Sequence, residues 1–148
     1  MKTVELEALN VDNWLTVCDL SVSDEQKVFF NISNVYWIGI SRYEEKSELF
    51  AIKADGEYVG LIGGGFDEDG ITGYINPLMI DSHHQGNGYA KQAIRLMIEY
   101  LRGQLHVTKI NLGHRKINIA ANQMYDSLGF QIIEDRGDDY YRQLDLRQ

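Results

Sequence analysis

Gln85-Gly86-Asn87-Gly88-Tyr89-Ala90 lies between an extended apolar run and a strongly periodic helix, and no other segment restricts the possible folds as much. Its glycines let the backbone turn tightly and approach a ligand closely, because no Cβ stands in the way. The helix that follows directs unpaired N–H groups and the positive end of its dipole into that turn. Together these features are typical of a pyrophosphate-binding site.

Other interpretations of this stretch can be weighed against its residues. A Walker loop would end in Gly-Lys followed by Ser or Thr, whereas this stretch ends in Gly88-Tyr89-Ala90, so that interpretation is excluded. A dinucleotide-binding fingerprint would require glycine or alanine at Lys91 and would open a longer αβ domain. A glycine turn that joins a strand to a helix and binds nothing is also common, and from this stretch alone it stays open.

Length and charge restrict the class of protein. The chain has 148 residues, so residues 1–148 are predicted to form a single domain. Its net charge of −8 comes from 22 acidic and 14 basic residues, which argues against nucleic-acid binding through phosphates. An acidic surface favours cationic small molecules or basic protein segments as partners.

Cysteine and hydropathy exclude further classes. Cys18 is the only cysteine, so neither an internal disulfide nor a cysteine zinc cluster can form. His83 and His84 lack the spacing of a paired helical metal site, and no metal is expected. No apolar run approaches the roughly 20 residues that span a bilayer, and residues 1–5 do not read as a signal peptide. We therefore expect a cytoplasmic protein without a membrane partner.

Periodicity predicts the element order β-α-α-β-β-β-α-β-α-β-β. Asp55-Gly56 and residues 67–70 are predicted to be tight turns between antiparallel strands. Pro77 lies in the strand predicted over residues 71–80, and because proline lacks an N–H, this strand should bulge or leave its neighbour there. The predicted fold class is α/β, with a mixed central sheet and helices on both faces.

Capping residues and breakers predict the helix ends. Asp12 is predicted to cap the first helix, and Ser23 to open a second helix that carries the apolar residues Phe29, Ile32, Val35 and Tyr36. The helix after the glycine turn is predicted to stop at Gly103. Asn118 is predicted to open the last helix, which stops at Gly129.

The sequence resembles the GNAT superfamily of N-acetyltransferases in two motifs that occur in the family's order. Residues 85–90 fit its acetyl-CoA signature, with glutamine first, glycine fourth and alanine sixth, and they follow the predicted fourth strand. A later family motif places an asparagine at the start of a helix, then a tyrosine, then Leu-Gly-Phe. Asn118, Tyr125 and residues 128–130 match that motif.

This resemblance implies acetyl-CoA as the donor and a mostly antiparallel, three-layer fold whose sheet splays between strands 4 and 5 to admit it. The pyrophosphate would be bound by backbone N–H groups of Gln85, Gly86, Asn87, Gly88, Tyr89 and Ala90. The pantetheine arm would pair, like an added strand, with backbone groups of Leu78, Met79 and Ile80. Asn118 and Ala121 on the last helix would also contact the cofactor.

Tyr125 has two interpretations. It falls on the apolar face of a short helix, as many core tyrosines do. A tyrosine with a pKa of about 10 is also protonated at neutral pH, and the resemblance implies that Tyr125 gives a proton to the departing CoA thiolate. The base is not evident: the fourth strand has no carboxylate, Asp81 shapes the loop after it, and His83 and His84 are candidates beside a chain of waters.

A narrower resemblance, to bacterial spermine/spermidine acetyltransferases, rests on residues 20–22, on Gln26, Phe29 and Asn34, and on residues 74–81. It implies a polyamine acceptor, which suits the acidic composition. Four acidic residues at helix starts or turns are candidates for the amine site: Asp24, Glu25, Asp67 and Glu68. Taken singly, each is also explained as an ordinary solvated charge.

The expected reaction is direct acetyl transfer to a primary amine within a ternary complex, because Cys18 has no apparent base that would make it a nucleophile. Acetylation of a protein, peptide or aminoglycoside amine stays open, since the fold does not choose the acceptor. A CoA-binding sensor without turnover also stays open. Aromatic residues within 34–43 suggest a contact with a second copy of the chain.

Overall fold

One mixed sheet organises the residues that the computed structural model describes, namely 3–28, 33–44 and 47–147. Its strands are β1 (Val4–Ala8), β2 (Ser47–Ala54), β3 (Glu57–Phe66), β4 (Thr72–Ile80), β5 (Lys109–Arg115), β6 (Gln131–Arg136) and β7 (Asp139–Asp145). They lie in the order β1-β2-β3-β4-β5-β7-β6, and neighbours are antiparallel except for β4 and β5, which are parallel. The predicted mixed, mostly antiparallel sheet is confirmed.

Helices cover both faces of this sheet and divide the core in two. They are α1 (Trp14–Cys18), α2 (Asn34–Tyr43), α3 (Tyr89–Gln104), α4 (Ile119–Ser127) and two short 3-10 helices, Asp24–Val28 and Ser82–His84. On β3, Ile62 packs in a cluster with residues of α3 and α4, whereas Leu61 packs with residues of α1 and α2. Because side chains alternate across a strand, consecutive buried residues serve opposite layers. None of the described helices is long and apolar enough to cross a membrane.

The parallel pair of strands separates early, and this confirms the predicted splay. Residues Thr72–Tyr74 of β4 pair with Lys109–Asn111 of β5, and beyond Tyr74 the two strands diverge. On its other side β4 stays paired with β3, but the register shifts beside Pro77. Pro77 has no N–H to donate, so the predicted bulge falls where the ladder loses a donor. One edge of β4 is left open toward β5.

The predicted tight turns are confirmed by their backbone angles. Asp55 and Gly56 have φ of 51° and 84°, and both central residues of a type I′ hairpin turn need positive φ. Gly70 has φ of 75° in the turn that leads into β4. These hairpins place β2, β3 and β4 side by side in chain order.

The prediction of one long helix from Ser23 is wrong. The 3-10 helix ends at Val28, and α2 begins separately after Ser33, whose backbone is extended (ψ 159°) and whose hydroxyl accepts the N–H of Tyr36. Val35 and Tyr36 therefore belong to α2 and are 59% and 57% exposed. Phe29 and Ile32 lie outside the described residues. The second-copy contact on residues 34–43 stays a prediction.

Two predicted helix ends are also wrong. Asn13, not Asp12, precedes α1 as its N-cap residue. The α3 helix continues through Gly103 to Gln104, and the left-handed conformation expected of a glycine is adopted by His106, with φ of 58°. Glycine weakens a helix interior by only about 1 kcal/mol, and the buried face of α3 outweighs that cost. The predicted stop of α4 at Gly129, where φ is 92°, is confirmed.

Candidate active site

A cleft of about 600 Å³ opens where β4 and β5 separate. Its walls are residues 75–80 of β4, residues 84–91 of the glycine turn and α3, residues 113–115 of β5, and Asn118, Ala120, Ala121, Met124 and Tyr125 of α4 and its cap. Val22, Gln26 and Trp37 close it from the other face of the sheet. Every residue predicted to bind the cofactor lines this one cleft.

The glycine turn presents unpaired N–H groups to the cleft. Gly86 and Gly88 have φ of 80° and 77°, and a Cβ built on either would meet nothing within 4 Å. Gly88 is the N-cap of α3, and no side chain caps the helix there. The first backbone hydrogen bond of the helix is donated by the N–H of Gln92 to the carbonyl of Gly88, at 3.3 Å. The four N–H groups of residues 88–91 thus have no partner within the helix. Such a terminus suits a pyrophosphate.

The amide side chains of this turn bind the protein and fix the turn's shape. Gln85 Nε2 donates to the Ile80 carbonyl at 2.9 Å and to Gln26 Oε1 at 2.6 Å. Asn87 Nδ2 donates to the carbonyl of His84 at 2.9 Å. The side chain of Gln85 therefore joins the end of β4 to the N-terminal region, while the backbone N–H groups remain for a ligand.

Lys91 and Arg115 add positive charge to the same cleft. Arg115 Nη1 lies 3.7 Å from Asp138 Oδ2, and Arg115 Nε lies 3.6 Å from Asp139 Oδ1. Lys91 forms no ion pair within the described part of the chain. In the sequence, Lys91 is only a mismatch to a dinucleotide fingerprint, whereas in the structure its place beside the glycine turn suits an anionic ligand.

The open edge of β4 runs toward the glycine turn. Leu78, Met79 and Ile80 pair with β3 on one side, and among the described strands they have no partner on the other. The Met79 side chain is buried in the core beneath α1 and α2. A peptide-like chain can hydrogen-bond to such an edge as an added strand. An open strand edge that leads to an uncapped helix N-terminus fits the arm and pyrophosphate of CoA.

Asp81 fixes the end of β4 to the N-terminal region. Its carboxylate accepts the N–H groups of Ser21 at 2.9 Å and of His83 at 3.2 Å. Burial acts to raise the pKa of Asp81, but these hydrogen bonds outweigh burial and hold the pKa below its ordinary value. The sequence-based view that Asp81 shapes the loop agrees with these contacts.

We expect Asp81→Asn to lower the free energy of unfolding at pH 7 by roughly 1–3 kcal/mol, because an amide keeps only one acceptor oxygen. A depressed pKa gives stability that is present above the unfolded value of about 3.9 and is lost as the pH falls through the folded value. Urea unfolding between pH 7 and pH 3 should therefore show the difference shrinking. Asp12→Asn, at an exposed site, is the control. A difference independent of pH would contradict the assignment.

Tyr125 is a core residue that also lines the cleft, and its role as a proton donor stays a prediction. It is 6% exposed and packs in the core, edge-on to Phe130 with ring centroids 5.7 Å apart. It also lines the cleft, and among the described residues no group is hydrogen-bonded to its hydroxyl. Burial raises the pKa of Tyr125 well above its ordinary value, so the hydroxyl stays protonated at neutral pH. Asn118, two turns earlier, uses its side-chain oxygen to cap α4 at Ala121 N, 3.1 Å away.

Sequence reasoning missed His114 and Arg142. The His114 ring stacks on Tyr125, with centroids 5.2 Å apart. Its Nδ1 lies 3.0 Å from the Arg115 carbonyl, and its Nε2 accepts from Arg142 at 2.8 Å, so Nδ1 carries the proton. Burial lowers the pKa of His114, and the Arg142 charge lowers it further. Because Arg142 occupies the Nε2 lone pair, His114 does not offer a base.

Of the candidate bases and the candidate acidic residues, only His84 lines the cleft. His84 lines the cleft, whereas the His83 side chain is 87% exposed and lies outside it. No Asp or Glu is among the described residues that line the cleft. Asp24 and Glu25 lie in the 3-10 helix whose Gln26 does line it, and Asp67 and Glu68 lie in the turn between β3 and β4.

Comparison with known proteins identifies the family. Residues 10–130 match the Acetyltransferase (GNAT) family, so the chain belongs to that family and is an N-acetyltransferase. The family uses acetyl-CoA as its acetyl donor. The fold is similar to that of the spermidine N-acetyltransferase from Vibrio cholerae solved with CoA and spermine, with a TM-score of 0.81 at 16% identity over 98% of this chain and 96% of that one.

Two named relatives differ in what their names say they acetylate. The chain is 27% identical over 140 residues to a probable spermine N(1)-acetyltransferase of Bacillus subtilis subsp. natto. The matched segment covers 87% of this chain and 88% of that relative. The chain is also 31% identical over 83 residues to the N-acetylaspartate synthetase of Danio rerio. That matched segment covers 56% of this chain and 29% of the synthetase.

Proposed function

We propose that this protein transfers the acetyl group of acetyl-CoA directly to a primary amine of a polyamine, spermidine or spermine, in a ternary complex. The observation that carries the proposal is the single cleft in which the open edge of β4, the uncapped turn at residues 85–90 and the Tyr125 hydroxyl meet. The thioester of the donor supplies the activated acetyl group.

The donor is held by groups that the fold leaves unpaired. Backbone N–H groups of residues 85–90 bind the pyrophosphate, with the Lys91 charge beside them. Backbone groups of Leu78, Met79 and Ile80 bind the arm along the open edge of β4. An N–H of Leu78 or Met79 also polarises the thioester carbonyl, as an oxyanion hole does.

Tyr125 acts as the proton donor to the departing thiolate. Its hydroxyl is protonated at neutral pH because burial disfavours the phenolate. Desolvation in the same cleft also raises the pKa of a thiol, so burial shifts the pKa values of the donor and of the leaving group in the same direction. The amine is deprotonated through water, since no Asp or Glu is among the described lining residues.

A polyamine acceptor is supported by the relative named as a probable spermine N(1)-acetyltransferase and by the net charge of −8. Asp24, Glu25, Asp67 and Glu68 serve in this proposal as acidic groups outside the cleft that attract the polycation. An amino-acid acceptor is the second candidate. Lys91 and Arg115 line the cleft, and none of its described lining residues is an Asp or a Glu, which suits an acidic acceptor. One relative is named N-acetylaspartate synthetase.

A thiol-release assay on a panel of amines tests the proposal: spermidine, spermine, putrescine, aspartate, a lysine peptide and an aminoglycoside. We expect kcat/KM for spermidine or spermine to exceed that for the other amines by at least about tenfold, a difference of roughly 1.4 kcal/mol in transition-state binding. Asp24→Asn combined with Glu25→Gln should raise KM for the polyamine and leave KM for acetyl-CoA unchanged.

Other outcomes of the panel contradict the proposal in distinguishable ways. Faster turnover of aspartate would establish the second candidate, and faster turnover of the peptide or the aminoglycoside would move the acceptor to those classes. Binding of acetyl-CoA without thiol release on any amine would indicate a sensor. The matched charge control is Asp12→Asn combined with Glu99→Gln, both at exposed sites.

A further inference from the structure

Arg142 on β7 is a buried cation, with 1% of its surface exposed. A buried guanidinium is tolerated only when its N–H groups are bonded, because an unpaired buried charge is costly. Its sequence context, in the closing strand after Tyr140 and Tyr141, carries no sign of this burial. Its partners therefore indicate what it does.

Those partners come from three segments of the chain. Arg142 Nη1 donates to Asp126 Oδ1 at 2.6 Å and to the Phe130 carbonyl at 2.9 Å. Arg142 Nη2 donates to Asn122 Oδ1 at 3.1 Å, and Nε donates to His114 Nε2 at 2.8 Å. One planar side chain thus joins α4, the residue that follows α4, and β5. Lysine could not reproduce this arrangement, since it offers a single point charge with no fork.

The four partners surround Tyr125. Asn122 and Asp126 flank it on α4, and the Phe130 N–H donates to the Tyr125 carbonyl at 3.0 Å. The His114 ring stacks on its ring with an interplanar angle of 29°. Each contact that Arg142 makes therefore restricts the helix or a ring that holds Tyr125 in the cleft.

We propose that Arg142 is a positioning residue that orients the Tyr125 hydroxyl in the cleft by binding Asn122, Asp126, Phe130 and His114. The proposal rests on the proposed function, in which Tyr125 is the proton donor. Electrostatics supports it independently of packing: burial raises the pKa of Tyr125, and the Arg142 charge opposes that rise. The same side chain therefore holds the donor and favours release of its proton.

A double-mutant cycle on kcat tests this role. Asp126→Ala is the main variant, because the Asp126 side chain is 70% exposed and Arg142 Nη1 keeps the Phe130 carbonyl as a partner at 2.9 Å, and a melting curve checks that the variant is folded. We expect it to lower kcat about tenfold with an unchanged KM for acetyl-CoA, because a small misplacement of a reacting group is costly. In a Tyr125→Phe background it should lower kcat no further. Arg142→Met should behave in the same way where it folds, and Arg142→Lys should not restore kcat.

The control is Glu99→Ala on α3, an exposed carboxylate paired with Arg102 at 3.0 Å, which should leave kcat unchanged. An equal loss from Asp126→Ala in both backgrounds would overturn the proposal, because it would act without the Tyr125 hydroxyl. Loss of acetyl-CoA affinity in place of kcat would also overturn it. Wild-type turnover by Tyr125→Phe alone would instead remove Tyr125 as the donor, and the positioning role of Arg142 would fall with it, whereas acetyl transfer to the amine would stand.

Discussion

Tyr125→Phe is expected to lower kcat about a hundredfold, the lower range for loss of a general acid, while acetyl-CoA binds with nearly unchanged affinity. The phenylalanine ring keeps the stacking on His114 and the edge contact with Phe130. The hydroxyl has no partner among the described residues, so its removal should leave the melting temperature almost unchanged. Initial rates of thiol release and calorimetric titration with acetyl-CoA separate the two effects.

Tyr100→Phe is the matched control for that substitution. Tyr100 packs edge-on against Phe50, with ring centroids 5.1 Å apart, and it does not line the cleft. It should keep wild-type kcat. If Tyr125→Phe also turns over at the wild-type rate, water or another group protonates the leaving thiolate, and Tyr125 is a core residue only.

Gly88→Val is expected to weaken acetyl-CoA binding by about 10- to 100-fold, the effect of losing one hydrogen bond to a charged group. Its side chain would project into open space at the turn, where the pyrophosphate is proposed to bind. A β-branched residue at φ of 77° is also strained, so some stability should be lost as well. Calorimetric titration with acetyl-CoA measures the affinity.

Gly70→Val separates strain from binding. Gly70 has nearly the same φ, 75°, and a Cβ there also meets nothing within 4 Å, but it lies in the turn before β4 and outside the cleft. Both variants should lose a similar amount of stability, roughly 1–3 kcal/mol. Only Gly88→Val should lose affinity. Equal affinities in the two variants would show that the turn does not bind the pyrophosphate.

Features determined by neighbouring residues could be predicted. The Asp55-Gly56 turn, the cap at Asn118 and the stop at Gly129 each depend on a few adjacent residues with special backbone preferences. The buried face of α3 follows from helical periodicity in the same way. The irregularity of β4 at Pro77 was predicted because proline removes a donor wherever it stands in a strand, whereas the splay of β4 from β5 was implied by the family resemblance.

Features determined by distant residues could not be predicted. The capping pattern at Ser23 was correct for a helical turn, but the extended Ser33 separates the 3-10 helix from α2. The capping pattern covers only residues 23–26, so it carries no information about that break or about α2, which packs on the sheet through Trp37 and Ile38. The same holds for α3, whose packing carries it past Gly103.

The glycine turn and the helix after it could be predicted from the sequence alone. The turn at residues 85–90 is one continuous segment, so its two glycines and the helix start after them predict a tight turn with exposed N–H groups, which the bond from Gln85 to Gln26 then holds in place. Only the tertiary structure decided how Tyr125 is held and which acidic residues stay out of the cleft. Arg142 meets Asn122, Asp126, Phe130 and His114 from 12 to 28 positions away, and hydrogen bonds over such separations leave no local pattern to read.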